Sequence, residues 1–141
     1  MRANGVWLLG DDGTTRPIFF AEVAGSRGHW VKIAMLADPG ADRTVFSRDA
    51  FARLQFPPSP SADRLAGIGG ISEAVSFVSQ IRIRRIDGVA LTFRGEFAAT
   101  LSSSALDISL LGRDITNLFA LVVDRPGEAV CLLSRGEVYQ A

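Results

Sequence analysis

Hydrophobic and polar positions alternate along much of the chain with the two-residue period that is typical of β-strands. The clearest case is residues 75–84, where isoleucines fall on one face and arginines on the other. The dipeptide Asp87-Gly88, which favours a tight turn, follows this run and precedes a second β-forming segment over residues 89–94. The pattern therefore predicts an antiparallel hairpin with one buried and one solvent-facing side.

Glycine and proline divide the rest of the chain into further short segments. Strands are predicted over residues 16–24, 29–37, 96–101, 108–111, 120–124 and 129–133. Ser47 is a plausible N-cap for a helix that ends before the proline cluster at residues 57–60, and one or two helical turns are expected over residues 113–119. We therefore expect a mainly β fold, a closed barrel with two short helices.

Composition indicates one globular domain spanning residues 1–141. The hydrophobic fraction of 48% and the charged fraction of 21% are those of a folded protein and exclude a disordered chain. The 15 basic and 15 acidic side chains balance, so the charge gives no support to nucleic acid as a partner.

The few cysteine and histidine residues limit the kinds of functional site that the chain can form. Cys131, the single cysteine, lies in an apolar run and is expected to be a buried hydrophobe without a disulfide, which favours the cytoplasm. No run of apolar residues is long enough for a signal peptide or a membrane span, so no membrane insertion is expected. His29, the single histidine, leaves no histidine-rich metal site, and a serine triad is disfavoured because Gly-x-Ser-x-Gly is absent.

Three features of the sequence, taken together, indicate a possible catalytic site. Asp38 ends an apolar strand, where a carboxylate is costly unless it is hydrogen-bonded or neutralised. A glycine-rich hairpin over residues 67–70 follows about 30 residues later, and an apolar strand then leads into Gly112-Arg113-Asp114 at the start of a helix.

These three motifs, in this order, resemble those of the retropepsin-like aspartic proteases, which include retroviral proteases and single-domain bacterial relatives. Residues 36–41 lie where that family has apolar-Asp-Thr/Ser-Gly-Ala, and residues 67–70 resemble the tip of its mobile flap. Residues 110–115 match its second signature, apolar residues followed by Gly-Arg-Asp/Asn. The resemblance covers residues 16–134.

The resemblance implies a retropepsin-like closed barrel with a flap hairpin, and an aspartic-type endopeptidase that works as a homodimer. Each chain would contribute one Asp38, and the two carboxylates together would activate water for peptide-bond hydrolysis. The implied substrate is an extended peptide or protein held under the flap, and no metal or organic cofactor is implied.

The resemblance also assigns roles to three further groups of residues. They are the active-site loop Pro39, Gly40 and Ala41, the flap and substrate-binding residues Ile68, Gly69 and Gly70, and a structural ion pair between Asp42 and Arg113.

Pro39 departs from the family pattern, which has threonine or serine at this position. In the family, that hydroxyl bonds to backbone groups across the dimer axis, and proline has neither a hydroxyl nor an N–H. An alternative hypothesis is therefore a catalytically weak or inactive relative that binds extended peptides in the same groove. A third hypothesis is an unrelated small β-domain with a structural role.

Overall fold

Strands dominate the computed structural model, which describes residues 1–57, 62–67, 70–102 and 106–140, with backbone alone at 62–67 and 70–72. The strands and helices of this part run in the following order: β1 Arg2–Asn4, β2 Val6–Leu9, β3 Thr15–Ala24, β4 Trp30–Ala37, β5 Val45–Phe46, α1 Arg48–Leu54, β6 Ala62–Gly67, β7 Gly70–Arg84, β8 Ala90–Thr100, β9 Ser109–Leu111, α2 Arg113–Thr116, β10 Ala120–Asp124 and β11 Ala129–Leu133.

The larger sheet closes on itself. Its strand order is β2-β3-β4-β9-β5-β8-β7-β6, and an additional pairing of β3 with β7 joins strands that are distant in this order. The closing register pairs Glu22 with Arg82 and Val23 with Ile81. The six strands from β3 to β7 in this order therefore form a closed barrel, which confirms the mainly β fold class.

Parallel pairing of β4 with β9 determines where the predicted site lies. Leu36 is in register with Leu110, and Ala37 with Leu111. Because parallel strands end at the same edge of a sheet, the residues that follow them come together. Asp38 is therefore placed beside Gly112, although 74 positions separate them in the chain.

The first helix forms as the sequence predicts. The Ser47 side chain accepts a hydrogen bond of 3.2 Å from the Ala50 amide, which satisfies a backbone donor that the first turn leaves unpaired. The helix ends at Leu54, and Gln55 adopts the left-handed conformation with φ of 58°. The second helix is shorter than expected, since α2 spans Arg113–Thr116.

Two predictions about strands were wrong or incomplete. Residues 89–94 and 96–101 were expected to form separate strands, but β8 is continuous because Gly95 keeps its place opposite Ser79 in the ladder with β7. Strands β1, β2 and β5 were not predicted, nor was the part of β6 before the glycine-rich hairpin. The first of them completes a second sheet of three strands in the order β1-β11-β10.

The interior is rich in phenylalanine. Phe46 packs edge-on against Phe77 and Phe97, with ring centroids 5.4 and 6.2 Å apart. Cys131 is fully buried, as predicted, and burial raises the pKa of its thiol above the usual value. No helix in the described part of the chain is both long and apolar enough to cross a membrane.

Candidate active site

The loop after β4 holds the Asp38 carboxylate in a tight turn. The Gly40 amide donates a hydrogen bond of 3.0 Å to Asp38 Oδ1, and the Ala41 amide donates to the Asp38 carbonyl oxygen at 3.2 Å. The Asp38 amide donates to the Leu111 carbonyl oxygen at 3.2 Å, which continues the contact between β4 and β9. The half-buried carboxylate therefore receives its hydrogen bond from its own loop.

Pro39 fits this turn. It is the second residue of the four that the hydrogen bond from Ala41 to Asp38 closes, a position where the fixed φ of proline is favourable. The side chain is exposed. A Cβ atom at the next residue, Gly40, would lie 3.2 Å from Asp38 Oδ1, so a small residue there keeps the backbone close to the carboxylate.

An ion pair links the loop to α2. The Arg113 guanidinium contacts the Asp42 carboxylate, and the Arg113 amide donates a hydrogen bond of 2.9 Å to the Ala41 carbonyl oxygen. Both side chains are largely exposed, so the charge pair itself contributes little stability, about 0–1 kcal/mol. The contact places the first residue of α2 against the turn that carries Asp38.

A hydrogen-bond network next to this ion pair joins the buried Thr44 to Asp114, whose side chain is exposed. Asp114 accepts hydrogen bonds from the Thr44 hydroxyl at 2.7 Å, the Thr44 amide at 3.0 Å and the Ile115 amide at 3.0 Å. The Thr44 hydroxyl oxygen also accepts from the Gly112 amide at 3.2 Å. Sequence reasoning missed the link between Thr44 and Asp114. The available signal was an acidic residue in the first turn of a helix, which says nothing of a partner 70 positions away.

Gly112 is required by close packing. A Cβ atom on this residue would overlap the backbone carbonyl group of Arg43. The glycine thus lets α2 approach the loop closely enough for the network around Thr44 to form.

The predicted flap coincides with the hairpin of β6 and β7. Gly67 and Gly70 are paired in register, and Gly70 begins β7. Ile68 and Gly69, the other two residues assigned to the flap, lie outside the described residues. In the described part of the chain, no group of three or more histidine, cysteine, aspartate or glutamate side chains is arranged to hold a metal ion.

Comparison with solved structures identifies similar folds. A retropepsin-like aspartic protease from Rickettsia conorii has a TM-score of 0.61 and 19% sequence identity, and the match covers 94% of this chain and 91% of that one. The EIAV protease in complex with the inhibitor HBY-793 has a TM-score of 0.52 and 20% identity, over 72% of this chain and 86% of that one. At this identity the likeness shows a shared retropepsin-like fold.

Sequence comparison gives the family. No curated protein matches the chain at a significant level. The model of the retroviral aspartyl protease family matches residues 14–121, well over half of the chain. The match includes Asp38, the hairpin of β6 and β7 and Gly112-Arg113-Asp114. The chain therefore belongs to the retroviral aspartyl protease family.

Proposed function

We propose that the protein is an aspartic endopeptidase that acts as a homodimer, each chain forming one domain and contributing one Asp38. The observation that carries this proposal is the difference between the carboxylates around the loop. Asp42 is paired with Arg113, and Asp114 accepts hydrogen bonds from Thr44 and from the Ile115 amide of its own helix. Asp38 has no cationic partner among the described residues and accepts its hydrogen bond from a neutral amide.

The dimer follows from the number of carboxylates that the chemistry needs. Hydrolysis by this class of enzyme uses two carboxyl groups at contact distance, which hold one proton between them because both cannot easily be charged. Each chain supplies one such group at the edge where β4 and β9 end. A symmetric pair of chains would bring the two Asp38 side chains together.

Each carboxyl group then has a distinct role. The ionised Asp38 takes a proton from water, and the water oxygen bonds to the carbonyl carbon of the scissile peptide. The protonated Asp38 donates its proton to the carbonyl oxygen, which gives a tetrahedral diol. As the diol collapses and the C–N bond breaks, the newly protonated carboxyl group gives its proton to the leaving nitrogen and the other carboxylate takes a proton from a diol hydroxyl. The dyad then holds one proton again, as at the start.

The proposed substrate is an extended peptide or protein segment. The flap hairpin of β6 and β7 would cover it through backbone hydrogen bonds of the β type, with Ile68, Gly69 and Gly70 at the tip. The Asp38 turn, which α2 contacts through Arg113, would face the scissile bond. Such a site recognises backbone shape first, so an unfolded protein is the appropriate test substrate.

Cleavage of an unfolded protein between pH 3 and pH 7 tests the proposal. We expect an acidic optimum and loss of cleavage in Asp38→Asn, with cleavage retained in Asp107→Asn, an exposed carboxylate in the loop before β9. Sedimentation equilibrium on the same samples gives the oligomeric state. Cleavage by a monomer, or a confirmed dimer that cleaves nothing over this pH range, would contradict the proposal.

Pro39 favours a second candidate function. Because proline supplies neither the hydroxyl nor the amide hydrogen that the family uses across the dimer axis, a relative with weak or no activity that still binds extended peptides is the alternative. Binding of a peptide without cleavage by a dimeric wild-type protein would support it. The third hypothesis, an unrelated β-domain, is wrong because the chain belongs to the protease family.

A further inference from the structure

We propose that the two chains of the homodimer join through the open edge of β10, which pairs antiparallel with β10 of the second copy about an axis at Val122. The small sheet has three strands in the order β1-β11-β10, and the pairing would extend it into one six-stranded sheet shared by both copies. This contact is the surface through which the homodimer would assemble, so it rests on the proposed function.

One edge of the small sheet is occupied and the other is open. On the β1 side, the Ile86 amide of the turn after β7 donates a hydrogen bond of 3.0 Å to the Arg2 carbonyl oxygen. On the β10 side, no strand in the described part of the chain pairs with the edge opposite β11. Residues 106–140 are described without a gap, so the segments that flank β10 on both sides are included. β10 is therefore the edge at which another strand can be added.

The open edge of β10 presents the backbone groups of Leu121 and Val123. The Val130 carbonyl oxygen accepts a hydrogen bond of 2.7 Å from the amide that follows β1, so Val130 faces β1. Because successive residues of a strand direct these groups to alternate sides, Cys131 faces β10, and its partner Val122 faces β11. The N–H and C=O groups of Leu121 and Val123 point the other way and have no backbone partner among the described residues.

The side chains of β10 do not protect this edge. Residues 120–123 are all apolar, and Val123 is 44% exposed. Asp124, the charged residue of the strand, is engaged by the Tyr139 hydroxyl and the Gly127 amide. Natural edge strands usually carry charged side chains or proline that prevent pairing with another chain. Their absence from residues 120–123 favours an edge that a second strand covers.

The β10 strand is suited to pairing with itself. With Val122 on the two-fold axis, Leu121 would lie opposite the partner's Val123, and Val123 opposite the partner's Leu121. Residues that face each other in this way in an antiparallel ladder exchange two hydrogen bonds per pair. The two Val122 side chains would meet on the axis, with their Cα atoms about 4.5 Å apart. Every contact is then made by the same residues of both copies, as a two-fold dimer requires.

The two ends of β10 are also complementary. A cavity of about 410 Å³ at the start of the strand is lined by residues 117–120 and 134–137, all of them described. Leu118 in its wall is 63% exposed. Leu118 is four positions before Val122, and the exposed turn over residues 125–128 is three to six positions after it. Antiparallel pairing about Val122 would therefore place the turn of each copy against the cavity of the other and cover Leu118.

α2 connects this edge to the proposed active site. Arg113 contacts the Asp38 loop through Asp42 and through the Ala41 carbonyl oxygen. Nine positions separate Arg113 from Val122. At about 1.5 Å per helical residue and at most about 3.4 Å per extended residue, this path spans no more than roughly 25 Å. Because a two-fold pair of chains has a single axis, the contact at Val122 and the meeting of the two Asp38 carboxylates would share it.

Hydrogen exchange measured by NMR on the full chain tests the pairing. The Leu121 and Val123 amides should exchange at least about tenfold more slowly at a concentration where sedimentation equilibrium shows a dimer than at one where it shows a monomer. The Leu9 amide is the control, since Leu9 is 67% exposed on β2, the edge strand of the larger sheet. Its exchange should not depend on concentration.

Two variants of Val123 separate the effect of the hydrogen bond from that of the side chain. Val123→Pro removes an N–H from the open edge but none that β11 uses, and Val123→Lys keeps the N–H but places a charge near the axis. Each should raise the dissociation constant of the dimer about tenfold or more. Val89→Lys, at a 52% exposed position before β8, should leave it unchanged. The NMR spectrum of each variant shows whether the monomer is folded, and Val123→Lys decides the test if Val123→Pro does not fold.

The outcomes distinguish this contact from the proposed activity. A dimer that survives Val123→Lys, or protection of Leu9 in place of Val123, would overturn the pairing and leave the peptidase proposal intact. A dimer that depends on Val123 but cleaves nothing would support the pairing and contradict the peptidase proposal. A wild-type chain that stays monomeric at millimolar concentration would overturn both.

Discussion

Thr44 and Asp114 are joined by two hydrogen bonds, one of 2.7 Å from the threonine hydroxyl and one of 3.0 Å from its amide. Thr44 is completely buried, and its hydroxyl oxygen also accepts from the Gly112 amide. The pair connects the loop that carries Asp38 to the start of α2. The position of the proposed catalytic carboxylate thus depends on two residues that take no part in the proposed proton transfers.

Replacement of Thr44 by valine should destabilise the protein by about 2 kcal/mol. The substitution keeps the side-chain volume but removes the hydroxyl, so the Gly112 amide loses its acceptor and Asp114 loses its shortest hydrogen bond. The free energy of unfolding from urea titration measures the effect. Thr92→Val is the control, because Thr92 is exposed on β8 and should change stability by no more than about 0.5 kcal/mol. Equal effects in the two variants would show that the hydrogen bonds of Thr44 are not important for stability.

Gly112→Ala should destabilise the protein at least as much as Thr44→Val does. The new methyl group would overlap the Arg43 carbonyl group, so the loop and α2 must move apart, at a cost of about 1–3 kcal/mol or more. Gly95→Ala is a matched control, since a Cβ there meets only the Phe97 ring at 3.8 Å. Thermal unfolding and cleavage assays on both variants provide the comparison. Retention of wild-type stability by Gly112→Ala would mean that the close approach is not needed.

The strands with a clear two-residue period were predictable from sequence, and so were the turns between them. β10 and β11 have the predicted bounds, because an apolar run on each side of a Pro-Gly turn leaves little choice of register. β5 could not be predicted in this way. It has two residues and exists because β9 and β8 lie on either side of it, and these pairings form between distant parts of the chain.

The candidate site was predictable to a similar extent. The motif around Asp38 was visible because its chemistry is local, a carboxylate and a glycine within one turn. The hydrogen bonds between Thr44 and Asp114 span 70 positions and depend on the parallel pairing of β4 with β9. Neither the residue types nor their spacing in the sequence indicates that Thr44 and Asp114 are hydrogen-bonded. Only the folded chain shows which polar side chain accepts a hydrogen bond from which backbone amide.

The ion pair of Asp12 and Arg16 should make stability depend on pH in the acid range. Two hydrogen bonds from Arg16 and one from the Thr14 amide lower the pKa of the Asp12 carboxyl from 3.8 to about 2. Since the unfolded chain binds this proton more readily, the contribution is fully present above about pH 4 and is lost as the pH falls through about 2.

Carbon-detected NMR of the Asp12 carboxyl group measures this pKa directly. In Arg16→Gln it should rise toward 3.8, because the largest cause of the shift is removed. Arg27→Gln, an exposed arginine in the turn between β3 and β4, should leave it unchanged. An Asp12 pKa that does not respond to Arg16→Gln would exclude the guanidinium as its main cause.

Pro39→Thr should strengthen dimerisation about tenfold or more and raise cleavage with it. The threonine restores one hydroxyl and one amide hydrogen to each chain, and each hydrogen bond regained across a symmetric axis contributes about 0.5–1.5 kcal/mol. Sedimentation equilibrium gives the dissociation constant, and cleavage of an unfolded protein gives the activity. Pro126→Thr, in the exposed turn between β10 and β11, controls for the general loss of a proline. If Pro39→Thr changes neither quantity while Asp38→Asn abolishes cleavage, the native loop already holds the two carboxylates correctly, because the turn closed by Ala41 suits proline as well as threonine.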